Sequence, residues 1–165
     1  NKSRDLIEGD EEEEQQKYYI KMGIVLHNVF STIRTTADID RALRQMELDG
    51  VLYDDNVSRQ RIEDMIRKRI NSPKIKDWFS DRWTVINECN IVSSTLDGKS
   101  IEHRPDRVMR DGDETIVIDF KFGKPHEEHH EQVREYMQLL EQLDCPNVKG
   151  YLWYVYPNKV VEVTI

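Results

Sequence analysis

The sequence lacks the features that would direct it to a membrane or an oxidising compartment. It has only two cysteines, Cys89 and Cys145, which fits a reducing cytosol and cannot supply the four ligands of an iron-sulfur cluster. Its apolar content is low, at 38%, and no run approaches the roughly 18 apolar residues of a membrane helix. No signal peptide is evident. We therefore expect a cytoplasmic protein without an iron-sulfur cluster, and its 165 residues suit one domain.

Charge is what the chain has in excess. Charged residues make up 34% of it, and its net charge is −8. Residues 1–14 account for −5 of this charge, so the other 151 residues have a net charge of only −3. A block of like charge is typical of a solvated or disordered segment. The sequence thus predicts an acidic linker or disordered leader at 1–15 and a single domain at 16–165.

Basic residues are concentrated between positions 59 and 76. Such a cluster is typical either of a phosphate-facing patch or of an ordinary solvated helix face, and the sequence leaves both readings open. Its members are Arg59, Arg61, Arg67, Lys68, Arg69, Lys74 and Lys76.

Hydrophobic periodicity predicts a helical N-terminal portion followed by a sheet. Helices are predicted at about 16–34, 38–49, 58–71, briefly after Pro73, and at 126–143. Strands are predicted at about 83–92, 100–110, 115–122, 148–156 and 159–165. Pro105 lacks a ladder donor, so we expect a bend or bulge in the second strand. The pattern indicates an α/β fold, with a central mixed sheet flanked by helices.

A predicted hairpin brings three reactive side chains together. Gly112-Asp113 suits a type II′ turn, in which glycine takes the first central position. In the resulting register Asp106 lies directly opposite Asp119, with Cβ atoms about 5 Å apart. Lys121, two residues further on, points to the same side. Two carboxylates and an ammonium group should therefore share one small surface.

Alternation along the second hairpin strand predicts one core face and one face towards a cleft or solvent, with Asp119 and Lys121 on the latter. Opposed carboxylates destabilise a strand pair unless a cation lies between them. A divalent metal is one solution, since Mg²⁺ prefers carboxylate oxygens. The other interpretation is an exposed ion pair between aspartate and lysine, which is the commoner one for an isolated D-x-K pattern.

An ordered set of motifs gives the chain a known pattern. The set comprises Gly23-Ile-Val-Leu-His27, Glu88, Arg104-Pro-Asp-Arg107, Val117-Ile-Asp-Phe-Lys-Phe-Gly123 and Gln132-x-x-x-Tyr136. In this order it resembles the RecB-type nuclease domain of the PD-(D/E)xK superfamily, over roughly residues 18–156. The resemblance implies a restriction-endonuclease-like fold and a Mg²⁺-dependent deoxyribonuclease, with exonuclease action as the first expectation.

The resemblance also implies partners. Such domains usually lie at the C-terminus of UvrD-like or AddA-like helicase-nucleases, which act in DNA recombination and repair. We therefore expect DNA and the helicase portion of the same polypeptide or complex as partners. The chain begins at Asn1 without a methionine, and we expect it to be a piece of something longer.

Metal-binding roles follow from the resemblance. It implies that His27, Asp106, Asp119 and the main-chain carbonyl of Phe120 hold Mg²⁺, or Mn²⁺ in its place. Lys121 would then position the attacking water or stabilise negative charge on phosphorus. The structural alternative for His27, on an apolar helix, is core packing or a supporting hydrogen bond.

Three further residues would border the site. Gln132 and Tyr136 lie four residues apart and so share a helix face, where the resemblance implies contact with the substrate or the lysine. Glu88 would contact metal or water. The alternatives are a helix rim for Gln132 and Tyr136, and an exposed strand position for Glu88.

Two other functions compete with the nuclease. His126-Glu-Glu-His129-His130 satisfies the H-E-x-x-H pattern of zinc metalloproteases, in which two histidines bind zinc and the glutamate activates water. The pattern lies at the very start of a helix after Pro125, however, without an evident third ligand. The other competitor is a catalytically inactive nuclease-fold module that binds DNA or a partner subunit.

Overall fold

The chain folds into a mixed β-sheet between two helical layers. The computed structural model describes residues 2–52, 58–86 and 89–165, and of residues 2–8 only the backbone. The helices are α1 (Lys2–Thr32), a 3₁₀ turn (Thr36–Asp38), α2 (Ile39–Leu48), α3 (Arg59–Ile70), α4 (Pro73–Trp78) and α5 (Glu127–Gln142). The strands are β1 (Thr84–Ile86), β2 (Ile91–Ser94), β3 (Ser100–His103), β4 (Arg107–Asp111), β5 (Glu114–Lys121), β6 (Val148–Tyr154) and β7 (Lys159–Val163). No helix within these ranges is long and apolar enough to cross a membrane.

The main sheet has five strands in the order β1-β4-β5-β6-β7, and β2 and β3 form a separate two-stranded hairpin. β5 and β6 are parallel, whereas the other neighbouring strands are antiparallel. A parallel pair needs a crossover connection, which α5 provides. Helices α1 to α4 pack on one face of the sheet and α5 packs on the other. This arrangement confirms the expected α/β fold, with a central mixed sheet flanked by helices.

Helix starts follow local side-chain chemistry. The Ser58 hydroxyl accepts a hydrogen bond from the N–H of Arg61 at 3.2 Å and so caps α3. Pro73 occupies the first turn of α4, where its missing N–H costs no hydrogen bond. Both helices therefore begin where the sequence predicts.

The β4–β5 hairpin forms in the predicted register. Asp111 pairs with Glu114 and Arg107 with Ile118, and Gly112 has the positive φ (+53°) that the first central position of a type II′ turn requires. The predicted strands 83–92 and 100–110, by contrast, each divide into two. Because Pro105 cannot donate to a ladder, the expected bend becomes a break at 104–106 that separates the small hairpin from the main sheet.

Both faces of β5 are buried, which corrects the prediction that one of them is a cleft or solvent. Ile118 and Phe120 pack against the N-terminal helices as predicted. Val117 and Asp119 are equally buried, at 0% and 3% exposure, because α5 covers them. A central strand with a parallel neighbour is normally covered on both sides. The covered face opens at Lys121, whose side chain is 21% exposed.

Helix α1 begins at Lys2 and therefore includes the acidic segment, which the sequence assigns to a linker or disordered leader. Its side chains from Asp10 to Glu14 are exposed. Further along, one side of α1 packs into the core, whereas Ile20 and Ile24 are each 61% exposed. His27 lies at the edge between these two sides, with 47% of its side chain exposed, rather than deep in an apolar surrounding.

Gly150 in β6 sets how closely α5 approaches the sheet. A Cβ at this position would lie 2.5 Å from Met137 Sδ and 2.7 Å from Val133 Cγ1. Gly150→Ala is therefore expected to push α5 outward and to lower the free energy of unfolding by about 1–3 kcal/mol, the usual cost of overpacking a core. Denaturant unfolding followed by circular dichroism measures this loss.

Gly23→Ala is the matched control on α1. A Cβ at Gly23 would lie 3.4 Å from Phe122 Cγ, which is ordinary contact. Alanine is favoured over glycine inside a helix by about 1 kcal/mol, so this variant should be no less stable than the parent. An equal loss of stability in both variants would contradict the role assigned to Gly150.

Candidate active site

Side chains from three distant parts of the sequence meet at the end of β5. Asp119 lies on β5, Asp106 immediately precedes β4, and His27 lies on α1. The β4–β5 ladder ends at the pair of Arg107 with Ile118, so the two aspartates stand one position beyond it. The break in the chain at 104–106 leaves Asp106 free to turn towards α1 instead of continuing the sheet.

Asp106 is held by two donors. Its Oδ1 lies 2.7 Å from His27 Nε2, and its Oδ2 accepts a hydrogen bond from the Phe120 N–H at 2.8 Å. The bond to Asp106 raises the pKa of His27. Burial opposes ionisation of Asp106, but hydrogen bonds from His27 and its other neighbours hold the pKa of this carboxyl below its usual value. Asp106 is therefore an anion at neutral pH.

The ionised form of Asp119 is less stabilised than that of Asp106. Its side chain is 5% exposed, and its Oδ2 lies 2.7 Å from Lys121 Nζ. The ammonium is close enough for an ion pair but is not aligned for a hydrogen bond, and among the described residues this buried oxygen has no hydrogen-bond partner. Burial and the adjacent Asp106 raise the pKa of Asp119 to about 7. A proton or a cation at this oxygen would relieve the repulsion.

Helix α5 holds Lys121 in place. Lys121 Nζ donates to Gln132 Oε1 at 2.9 Å, and Gln132 Nε2 donates to the Tyr136 hydroxyl at 3.0 Å. Burial, reinforced by the charge of Asp119, raises the pKa of Tyr136 to about 12, so its hydroxyl stays protonated at neutral pH. The structure thus brings both predicted α5 residues to the lysine.

The predicted contacts of two further residues, Glu88 and Phe120, are not tested by the structure. Glu88 lies outside the described residues, so its role stays a prediction. Phe120 contacts the site through its N–H, which donates to Asp106. The role of its main-chain carbonyl likewise stays a prediction.

The charges of the site suit a divalent cation. In the described ranges, no group of three or more His, Cys, Asp or Glu side chains forms a ready metal site. The Oδ2 atom of Asp119, however, is buried without a hydrogen bond, and an unsatisfied carboxylate oxygen is a ligand that a hard cation prefers. The set of His27, Asp106 and Asp119 as ligands of such an ion stays a prediction. Binding of a cation there would displace protons from His27 and Asp119.

Two cavities open beside His27. The larger, of about 990 Å³, runs along the exposed side of α1, with mostly apolar walls that include Ile24 and Phe122. The smaller, of about 570 Å³, lies at the base of the β2–β3 hairpin and is lined by Asp106 and Arg104 among others. The Arg104 side chain is 72% exposed and forms an ion pair with Glu102 at 3.1 Å. An extended substrate could therefore approach the site from either side.

Several members of the basic cluster are already engaged within the chain. Arg59 and Arg67 form ion pairs with carboxylates on α2 and α3. Arg69 donates to the carbonyl oxygen of Val155 at 2.8 Å. These three arginines therefore support the fold, whereas Arg61 and Lys68 are exposed on α3 and keep the phosphate-facing interpretation open.

The H-E-x-x-H pattern does not place its histidines as a zinc protease would. His126 is the N-cap of α5 and has an extended backbone, so it does not share a helix face with His130. His129 Nδ1 is already bonded, with the Tyr154 hydroxyl at 3.1 Å. Nowhere in the described part of the chain do these histidines join a third potential metal ligand.

Arg107 supports the site in a way that sequence reasoning missed. It is 1% exposed and donates to the carbonyl oxygens of Phe30, Arg34 and Trp78 at 3.2, 2.9 and 3.0 Å. Phe30 lies in the last turn of the helix that carries His27, so Arg107 ties that helix to the strand that follows Asp106. The only sequence signal was a charged residue at a core position of the predicted strand.

The stability of the metal-free protein is expected to fall as pH rises from about 5 to about 8. The folded-state pKa of Asp119 lies above its unfolded value, so its stabilising protonation is present at low pH and is lost as pH rises to about 7. The pKa of His27 is also raised, and its contribution has the same sign. One group changes stability by at most about 1.4 kcal/mol per pH unit. Melting temperatures measured with a chelator test this.

Asp119→Asn provides the control for this profile. It removes one titrating group and keeps the size of the side chain, so the fall in stability between about pH 5 and about pH 7 should become shallower. A parent profile that rises over this range, or an unchanged slope in the variant, contradicts the raised pKa of Asp119.

Comparison with known proteins finds a family match along almost the whole chain. The model of the family described as the PD-(D/E)XK nuclease superfamily matches residues 3–163. A solved structure described as "Crystal structure of SSO0001" is similar over 89% of this chain and 76% of its own, with 19% sequence identity and a TM-score of 0.40. No curated protein matches the chain.

Proposed function

Because this chain belongs to the PD-(D/E)XK nuclease superfamily, we propose that it hydrolyses DNA phosphodiester bonds with a divalent metal ion, Mg²⁺ or in its place Mn²⁺. The observation that carries the proposal is the convergence of Asp106, Asp119 and Lys121 at one end of β5. Lys121 Nζ lies 2.7 Å from Asp119, and His27 lies 2.7 Å from Asp106 on the other side. Superfamily nucleases generally use divalent metals, which agrees with the unsatisfied oxygen of Asp119.

Each side chain of the site then has a task. His27, Asp106 and Asp119 would hold the metal ion, which when bound polarises a phosphoryl oxygen and lowers the pKa of a water molecule. Lys121 would contact the attacking water or the phosphoryl oxygen on which negative charge develops. Gln132 and Tyr136 hold the ammonium group in position, so that it need not reorganise during the reaction.

We further propose that the domain is an exonuclease within a helicase-nuclease of DNA recombination and repair. The order of motifs shared with RecB-type domains supports this assignment. The net charge of −8 and the engaged arginines of the basic cluster also support it, since nonspecific affinity for DNA scales with the phosphates that are neutralised. A helicase portion of the same polypeptide or complex, in the cytoplasm, would supply the DNA strand that the domain itself holds weakly.

A cleavage assay tests the proposal. End-labelled linear DNA and covalently closed circular DNA are incubated with Mg²⁺, Mn²⁺, Ca²⁺ or a chelator. We expect cutting with the first two ions, and cutting of linear DNA alone if the domain is an exonuclease. Binding without cutting in any metal ion would point instead to an inactive DNA-binding module. If the protein neither binds nor cuts DNA, the proposal is wrong.

A further inference from the structure

His129 lies beside the candidate site, and the chemistry proposed above gives it no task. It stands on α5, about one turn before Gln132, and is half-buried. Its Nδ1 accepts a hydrogen bond from the N–H of His126 at 3.4 Å and lies 3.1 Å from the Tyr154 hydroxyl. Because a backbone N–H can only donate, Nδ1 is an acceptor and the proton of the neutral ring lies on Nε2.

Tyr154 brings this ring next to Lys121. Lys121 on β5 and Tyr154 on β6 are directly paired. Neighbouring strands of a sheet lie about 4.8 Å apart. Tyr154 is 2% exposed, so packing fixes its hydroxyl and, through it, the imidazole. Burial and the charge of Lys121 both lower the pKa of His129. The ring is therefore neutral near pH 7.

The free side of the ring suits an anion. Among the described residues, none accepts a hydrogen bond from His129 Nε2. Lys121 and the first turn of α5 both contribute positive potential here. Glu127 and Glu128 of that turn are exposed to solvent. The charge of Glu128 raises the pKa of His129, but burial and Lys121 outweigh it. A fixed N–H donor in such surroundings matches an oxygen of a DNA phosphate, since side-chain donors commonly position the backbone of bound DNA.

We propose that His129 is a substrate-contacting residue, whose Nε2–H donates to a phosphate oxygen of the bound strand at a nucleotide adjoining the reacting one. The inference rests on the proposed nuclease function. Tyr154 is then a positioning residue, because its hydroxyl holds the ring through Nδ1 and leaves Nε2–H for the substrate. A neutral imidazole is a weak acid at this position, so the contribution of His129 is to binding rather than to the chemical step.

Steady-state kinetics on labelled DNA with Mg²⁺ test this inference. For His129→Ala we expect KM to rise roughly tenfold, with kcat changed by less than about twofold, since a hydrogen bond to a charged group contributes on the order of tenfold in affinity. His129→Gln keeps an N–H donor and should restore most of the affinity. Tyr154→Phe should raise KM by a smaller factor, because it frees the ring without removing it.

His130→Ala is the matched control, since it removes a neighbouring imidazole and should leave KM and kcat at the parent values. Salt dependence adds a second readout. Loss of a neutral donor leaves the slope of log Kd against log salt unchanged, whereas loss of a charged contact reduces it by about 0.9. Anisotropy of labelled DNA in Ca²⁺ measures this slope without cleavage.

The outcomes separate this inference from the function on which it rests. If the parent cuts DNA and His129→Ala retains the parent KM, the inference is overturned and the nuclease function stands. A loss confined to kcat overturns it equally. If the parent neither binds nor cuts DNA, both proposals fail together. Long-range ¹H–¹⁵N spectra of the ring give a readout independent of activity: a proton on Nε2 is expected at neutral pH, and a proton on Nδ1 contradicts the inference.

Discussion

Asp119→Asn is expected to lower DNA cleavage by more than about 100-fold without lowering stability. Loss of a residue that merely supports a metal ligand costs 10–100-fold in affinity or activity, and in the proposed function Asp119 is itself a ligand. The same change removes a buried charge beside Asp106, so the melting temperature should rise or stay unchanged. Measurements of kcat/KM on labelled DNA and of thermal unfolding check the two halves of this expectation.

Lys121→Met separates binding of the metal ion from the chemical step. It removes the ammonium group next to Asp119 but leaves both carboxylates, so Mn²⁺ affinity measured by calorimetry should be retained while cleavage is lost. Asp119→Asn should lose both properties. Lys124→Met, at an exposed position three residues on, should change neither. Cleavage at the parent rate by Asp119→Asn or Lys121→Met would show that these groups do not perform the reaction.

The strand register around Asp119 could be predicted because it depends on local rules. The turn at Gly112 fixes the register of the hairpin, and the register fixes which residues lie opposite one another. The helical period places Gln132 and Tyr136 on one face of α5, and the resemblance implies that this face meets the lysine. Gln132 bonds to both Lys121 and Tyr136, so register, helical period and the resemblance together were sufficient for this half of the site.

The other half depends on packing between distant parts of the chain. His27 reaches Asp106 because the strand is interrupted at 104–106. The sequence predicts a bend there but does not show in which direction it turns the Asp106 side chain. The burial of Val117 and Asp119 was mistaken for exposure because alternation does not reveal that α5 covers this face. The close approach of α5 to Gly150 was missed for the same reason, although a glycine within a strand often marks such a contact.

The motif order and the structure therefore give different information about the site. The motif order indicates which residues belong to the site, including His27, which no local rule would select. The structure adds that Asp106 is stabilised as an anion by His27 and Phe120, whereas Asp119 is buried without a hydrogen bond at Oδ2. Two aspartates with opposite pKa shifts are typical of a site whose groups have distinct tasks.

Arg107→Met is expected to lower the free energy of unfolding by about 3–5 kcal/mol, because several buried carbonyl oxygens lose their donor and each unsatisfied group costs about 1–3 kcal/mol. The guanidinium donates to carbonyl oxygens at and just beyond the C-terminal end of α1, including those of Phe30 and Ile33, and to Trp78. Carbonyls at a helix end have no partner within the helix, and a cation there also offsets the helix dipole. Burial lowers the pKa of Arg107, but an arginine side chain remains charged in proteins.

The same substitution at Arg110 provides the control. Arg110 lies on the same strand but is exposed, so Arg110→Met should change stability by less than about 0.5 kcal/mol. Arg107→Lys keeps the charge without the planar fork and should lose part of the stability, which gives a measurable variant if Arg107→Met does not fold. Because Arg107 connects α1 to the strand after Asp106, Arg107→Lys should also weaken Mn²⁺ binding. Unfolding in urea and calorimetry test this, and parent values for Arg107→Lys in both measurements would contradict the role proposed for this arginine.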